Sequence, residues 1–196
     1  MTRMIPISLD PRMLRLGLAG HGGSAVRRWG LLTEAGAAEA LCFADTPDAA
    51  LAEAAGARYH EGLPDEAALA ALDVLWIVGM DDGEAARLAA RARQHKVLVN
   101  VEDRREHCVF HNAAEVRRGD LLLTISTGGQ SPGLAQTLRA RLGEIFGPEW
   151  AERLRILGEK RRTWRAAGDE LPALAAKTEA FLQETGWLDE LTPQRK

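Results

Sequence analysis

Tyrosine is almost missing from this chain: Tyr59 stands alone among 196 residues, and Leu63 lies four positions after it. The Tyr-x-x-x-Lys pair of short-chain dehydrogenases is thereby excluded. Cysteine is nearly as scarce. Cys42 and Cys108 form neither a C-x-x-C nor a disulfide-dense pattern, which suits a reducing compartment. Lysine occurs only at 96, 160, 177 and 196, so arginine carries most of the positive charge. A GC-rich genome explains that bias first, although the planar arginine fork also suits carboxylates and phosphates. No run approaches the roughly 18 to 20 apolar residues of a membrane span, and the opening MTRMIPISLDPRM lacks the apolar stretch of a signal peptide. A formal charge of −3 provides no overall electrostatic reason for a nucleic-acid or anionic-membrane partner. Gly-Lys-Ser/Thr phosphate loops are absent as well. The expectation is a soluble, cytoplasmic protein with no membrane and no nucleic acid among its partners.

What is present is a chain that is 46% hydrophobic, enough to bury a core. Short apolar runs alternate with helical segments. Strands are expected at 13–19 (MLRLGLA), 40–44, 74–78 (VLWIV), 96–101 and 121–126 (LLLTIS), and helices at 22–35, 47–55, 65–71 and 83–95. This alternation predicts an α/β fold with a Rossmann-like, doubly wound parallel sheet. Beyond Pro132 the pattern is helical only, with expected helices at 134–146, 149–167 and 173–185. The first of these carries apolar residues at 134, 138, 142, 145 and 146, close to one helical face. A boundary between the two parts falls between 112 and 130.

Gly20-His21-Gly22-Gly23-Ser24-Ala25 fits G-x-G-x-x-A where the first strand meets the first helix. Such a turn needs a tight bend at its first glycine and close backbone approach at its second. A small third residue lets helix and strand pack, and the helix's free N–H groups then face a pyrophosphate. These six residues are the candidate cofactor turn. Asp45, at the end of the second strand, stands where a carboxylate takes the adenosine ribose hydroxyls of NAD, and no arginine follows closely to receive the extra phosphate of NADP. An alternative is that Asp45 only caps the helix after Thr46-Pro47. Gly79, Met80 and Asp81 follow the third strand on the same carboxyl edge.

The stretch from Val99 to His111 leaves an apolar strand and enters a loop with three acids, two arginines, two histidines and a cysteine. His107, Cys108 and His111 are ligand types, but no fourth ligand is visible, so no permanent metal site is expected.

Asn100-Val101-Glu102-Asp103, Phe110, Arg117-Arg118-Gly119-Asp120-Leu121, and the run from Ser126 to Ala135 (STGGQSPGLA) occur in that order. Together with Ile5 to Leu9, the glycine turn and Asp81-Asp82, they resemble the bifunctional precorrin-2 dehydrogenase/sirohydrochlorin ferrochelatase family, which also forms the N-terminal part of siroheme synthase. The likeness covers roughly residues 4 to 165. It implies an NAD-binding domain at 1–112, a dimerisation segment at 113–145 and a small C-terminal helical domain at 146–196, assembled as a homodimer. It also implies oxidation of precorrin-2 to sirohydrochlorin with NAD as cofactor, and in many members insertion of ferrous iron as a second substrate.

Carried over by motif, the catalytic residue is Asp103, whose carboxylate would accept the proton lost as hydride leaves. The tetrapyrrole bears eight carboxylates. Its expected contacts are Arg104 and Arg117, with Ser126, Thr127, Gly128, Gly129 and Ser131 bordering the cleft; Arg105, Arg118, Arg139 and Arg141 are further candidates. The chain departs from the family at Arg105, Asn112 and Ala113, and His21 stands inside a turn that often reads as three glycines. The alternative is a non-catalytic dinucleotide- or tetrapyrrole-binding relative.

Overall fold

The chain divides into two compact units, Met1–Asn112 and Ala113–Lys196, and the computed structural model describes residues 4–191. In the first unit strands and helices alternate as β1 (Leu16–Gly20), α1 (Gly22–Glu34), β2 (Leu41–Ala44), α2 (Ala49–Ala55), β3 (Tyr59–Glu61), α3 (Glu66–Ala71), β4 (Val74–Val78), α4 (Asp82–Gln94) and β5 (Leu98–Val101). The strands form one parallel sheet in the order β3-β2-β1-β4-β5. Every residue of β1 and β4 is buried, as a central strand covered on both faces requires. Alternate side chains go to opposite faces. Leu16, Leu18, Val74 and Trp76 pack with Ala25 and Trp29 of α1 and Leu51 of α2. Leu75, Ile77 and Val99 pack with Leu69 of α3 and with Leu88 and Ala92 of α4. The sheet is therefore doubly wound, as the alternation predicted.

Carboxylates start three of these helices. Asp48 accepts from the Leu51 N–H at 3.0 Å, Asp65 from Ala68 at 2.8 Å and Asp81 from Gly83 at 2.9 Å. The strand expected from Lys96 begins only at Leu98 because α4 closes on a left-handed Lys96 (φ 63°), whose N–H and that of Val97 bond back to Arg93 and Ala92. The edge strand β3 was not legible: Tyr-His-Glu is short and polar on two of three positions.

The second unit contains an antiparallel hairpin, β6 (Ala114–Arg118) and β7 (Leu121–Ile125), then α5 (Pro132–Ile145), α6 (Trp150–Ala166) and α7 (Leu171–Thr185). The hairpin turns at Gly119, which takes φ 57°. Strand β6 was not expected either, since Ala-Glu-Val-Arg-Arg offers one buried apolar residue, Val116. Arg118 ends α5: its guanidinium donates to the carbonyls of Phe146 at 2.8 Å and Gly143 at 3.0 Å. The apolar stripe foreseen on α5 forms, but Leu134, Leu138 and Ile145 are exposed. Farther along, the Arg153 guanidinium lies 5.2 Å from the Trp150 ring and 5.5 Å from that of Trp187. Residues 192–196 of the expected C-terminal helical domain lie outside the described residues.

Candidate dinucleotide site and catalytic loop

The chain winds from β1 through β2 to β3 on one side, then returns to place β4 on the other side of β1. Connections leaving the carboxyl ends of β1 and β4 therefore diverge, which opens a crevice at that edge. Two glycines form its floor. A Cβ on Gly20 would stand 1.7 Å from the Val78 carbonyl oxygen, and one on Gly79 2.2 Å from that of His21. Both have positive φ, 137° and 71°. The loops meet backbone to backbone, with the His21 N–H bonded to the Val78 carbonyl at 3.3 Å.

Gly22 is different. It opens α1 with nothing within 4 Å of where a Cβ would be, while Ala25 one turn on is fully buried against the sheet. A tight first glycine, an open second one and a small third residue fit a dinucleotide's pyrophosphate.

Around this turn the foreseen residues take mixed roles. Asp45, at the end of β2, is largely buried and lies 2.8 Å from His21 Nδ1. It does not cap α2, contrary to the alternative expectation; Asp48 does, because Pro47 intervenes and the helix begins only at Ala49. Asp48 was missed, although an acid directly before an alanine-rich run is a legible cap signal. Its second oxygen accepts from the Gly22 N–H at 2.7 Å. The Leu51 and Gly22 N–H groups together hold its carboxyl below the usual carboxylate range. The Ser24 hydroxyl accepts from Arg27 at 2.7 Å. Gly23 is exposed, Met80 is half-buried beside the core, and Asp81 is committed to capping α4.

The charged stretch from Val99 to His111 forms the end of β5 and the loop after it. Asp103 takes φ 58°, a left-handed conformation uncommon outside glycine, and its side chain is exposed. With Glu102 and Arg104 it lines a cleft of about 120 Å³ shared with Gly79, Met80 and Asp82. The fold thus brings the foreseen catalytic acid beside one of the foreseen cofactor loops. Arg104 is engaged: it pairs with the Asp82 carboxylate and donates to the Asp103 carbonyl at 3.1 Å. That pairing with Asp82 raises its pKa further above the usual range.

Cys108 is the loop's internal anchor. Its sulfur lies 3.2 Å from the Val101 N–H and 3.2 Å from the Val101 and Arg104 carbonyls, and burial pushes its pKa up. Below it, buried Asn100 donates to the Phe110 carbonyl at 2.9 Å and accepts from Asn112 at 2.8 Å, while Asn112 accepts from the Trp76 indole at 3.0 Å. This chain of bonds explains the polar Asn112: it satisfies a tryptophan N–H that the sheet would otherwise strand. Among the described residues no group of three or more His, Cys, Asp or Glu side chains is arranged to hold a metal.

In the second unit, the run between β7 and α5 folds on itself. The Thr127 hydroxyl bonds both polar groups of the Ser131 backbone, at 3.1 and 3.2 Å, Ser126 accepts from the Gly128 N–H at 3.2 Å, and Ser131 caps α5 through Leu134 at 3.2 Å. Gly128 and Gly129 have φ 61° and 74°. Arg117 is exposed and 3.6 Å from Glu115.

Residues 7–114 match the protein family described as "Putative NAD(P)-binding". That match covers more than half of the chain. The chain belongs to this NAD(P)-binding family. This NAD(P)-binding chain is also 34% identical over 171 residues to the siroheme synthase of Methylococcus capsulatus, covering 83% of the chain and 35% of the relative. The siroheme synthase of Azotobacter vinelandii is 37% identical over 161 residues, covering 81% and 34%. The chain thus spans about a third of the length of the curated relatives it matches. Among solved structures, "SirC, precorrin-2 dehydrogenase" superposes with a TM-score of 0.69 over 96% of this chain and 98% of that one, at 20% identity. That likeness establishes a shared fold.

Proposed function

We propose that this chain oxidises precorrin-2 to sirohydrochlorin in siroheme biosynthesis, with NAD as cofactor and Asp103 as the catalytic residue. One observation carries the reading: the left-handed aspartate at the end of β5 opens on the cleft shared with the Gly79 loop. Such conformations persist where the surroundings hold them and cluster at active sites; the other non-glycine case among the described residues, Lys96, ends α4, whereas Asp103 faces a cleft. The similarity to siroheme synthases over 83% and 81% of the chain supports the substrate class.

NAD, when bound, supplies the hydride acceptor. The turn from Gly20 to Ala25 would hold its pyrophosphate and Asp45 its ribose, and the lack of an arginine closely following Asp45 in the sequence favours NAD over NADP. Oxidation removes a hydride and a proton from the macrocycle. The exposed Asp103 carboxylate accepts the proton and passes it to water. Cys108 and the Asn100–Asn112 pair keep the loop in shape. For the tetrapyrrole's carboxylates, Arg117 and the Ser126 to Ser131 turn are the proposed contacts, and Arg104 supports Asp103 by bonding its carbonyl while paired with Asp82.

Ferrous iron is proposed as a second substrate, inserted into sirohydrochlorin. Homodimerisation is supported by the open α5 stripe of Leu134, Leu138 and Ile145. Two free thiols suit a reducing cytoplasm, and no described helix is long and apolar enough to cross a membrane.

The test follows NADH absorbance with precorrin-2 for the native protein and Asp103→Ala. Loss of one carboxylate acting in general base catalysis predicts a drop of about 100-fold or more in kcat. Native turnover matched by the alanine variant would reject Asp103 as catalyst. A second assay adds ferrous iron or cobalt to sirohydrochlorin and reads the spectrum; no change rejects the chelatase activity.

A further inference from the structure

We propose that Asp48 is an internal competitor for the dinucleotide's pyrophosphate: its carboxylate holds the phosphate position of the glycine turn and thereby limits affinity and sets selectivity. The proposal rests on the dinucleotide-binding reading above and goes beyond it. A 13-residue helix such as α1 presents unsatisfied N–H groups and a partial positive charge at its start. Yet α1 has no acidic residue in its first turn, and His21 at its N-cap makes no capping hydrogen bond. The anion comes instead from the next helix. Asp48 Oδ2 sits 2.7 Å from the Gly22 N–H while Oδ1 sits 3.0 Å from that of Leu51.

The carboxylate is held there from several sides. Its backbone N–H donates to the hydroxyl of Tyr59, the chain's single tyrosine, at 3.2 Å. Its charge is favoured by two backbone donors and by His21 nearby. Asp45, on the same side of the turn, is paired with His21 at 2.8 Å. A pyrophosphate arriving at the open face of Gly22 therefore meets an N–H already bonded and two carboxylates of its own sign. Only the oxygen on Gly22 has to leave; the one on Leu51 keeps α2 capped. A ligand with a further phosphate on its adenosine ribose adds charge beside the same two acids, so NADP is penalised more than NAD.

The experiment is calorimetric titration of the full chain, native and Asp48→Asn, with NAD, NADP and inorganic pyrophosphate at pH 7.5. Asparagine keeps an oxygen for Leu51, so α2 stays capped, and Asp48→Ser supplies a second variant with a hydroxyl cap. Removing one charge that competes for a backbone donor predicts pyrophosphate and NAD binding tighter on the order of tenfold, with a larger gain for NADP. The Gly22 amide proton, followed by nuclear magnetic resonance, is expected to lie downfield in the native free protein and to shift upfield in both variants. Weaker NAD binding in Asp48→Asn would make Asp48 a direct ligand and overturn the proposal. Unchanged affinities with native NAD binding intact would leave it a helix cap alone, overturning the proposal but not the cofactor reading. If no form bound NAD or NADP, both would fall.

Discussion

Asn100→Ala is the most informative perturbation of what supports the loop after β5. Asn100 is 7% exposed and is the only buried polar side chain among the described residues. Truncation removes the donor to Phe110 O at 2.9 Å and the acceptor for Asn112 at 2.8 Å. A buried polar group left without a partner costs roughly 1 to 3 kcal/mol. The Phe110 carbonyl bears that cost, whereas exposed Asn112 turns to water and falls near the low end. Adding the small cavity, the loss is about 2 to 3 kcal/mol, a sizeable fraction of the roughly 5 to 15 kcal/mol that stabilises a typical fold. In urea, with a slope of about 2 kcal/mol per molar, the midpoint falls by about 1 M.

Asn112→Ala strands the Trp76 indole N–H as well as Asn100, so it also destabilises. Because the two residues share a bond, the double variant loses less than the sum of the singles, by about 0.5 to 1 kcal/mol. The assay is urea unfolding followed by far-ultraviolet circular dichroism for all four forms. A midpoint shift under about 0.2 M for Asn100→Ala, or strict additivity, would refute the network as a structural support.

Two further outcomes are expected. Gly20→Ala places a methyl 1.7 Å from the Val78 oxygen at φ 137° and is expected to cost more than about 3 kcal/mol, whereas Gly22→Ala, with open space at φ 78°, costs about 1 kcal/mol and shows mainly as weakened dinucleotide binding. Thermal melting and NAD titration separate the two, and equal melting temperatures would contradict the crowding. For the thiols, burial pushes Cys42 up to about 12 and raises Cys108. Unfolded thiols ionise near 8.5, so above that pH the unfolded state sheds protons that the folded state keeps, and stability falls as pH rises from about 9 toward 12. Cys42→Ala is expected to flatten that fall, as urea midpoints between pH 8 and 10.5 measure. Rapid alkylation of Cys42 in the native protein at pH 7.5 would show that the thiol is not buried.

Much of this architecture was legible because it rests on local pattern. VLWIV and the MLRLGLA run read as strands, the second beginning only at Leu16, and a glycine turn between strand and helix announces the crevice of a doubly wound sheet. The order of its motifs singled out Asp103 as the candidate acid, and the fold sets it in a cleft with the Gly79 loop. What resisted reading was partnership. Asp48 and Asp45 lie three residues apart and look interchangeable, yet the position of the glycine turn assigns one to Gly22 and the other to His21. Cys108 and Arg118 carry ligand and anion-binding chemistry in their side chains, but the fold commits one to anchoring the loop after β5 and the other to ending α5. Periodicity records which residues avoid water, and that is enough to set the elements and their faces. A hydrogen-bond partner 20 or more positions away leaves no mark on spacing, so only the assembled chain decides which polar groups are spent on structure and which remain for chemistry.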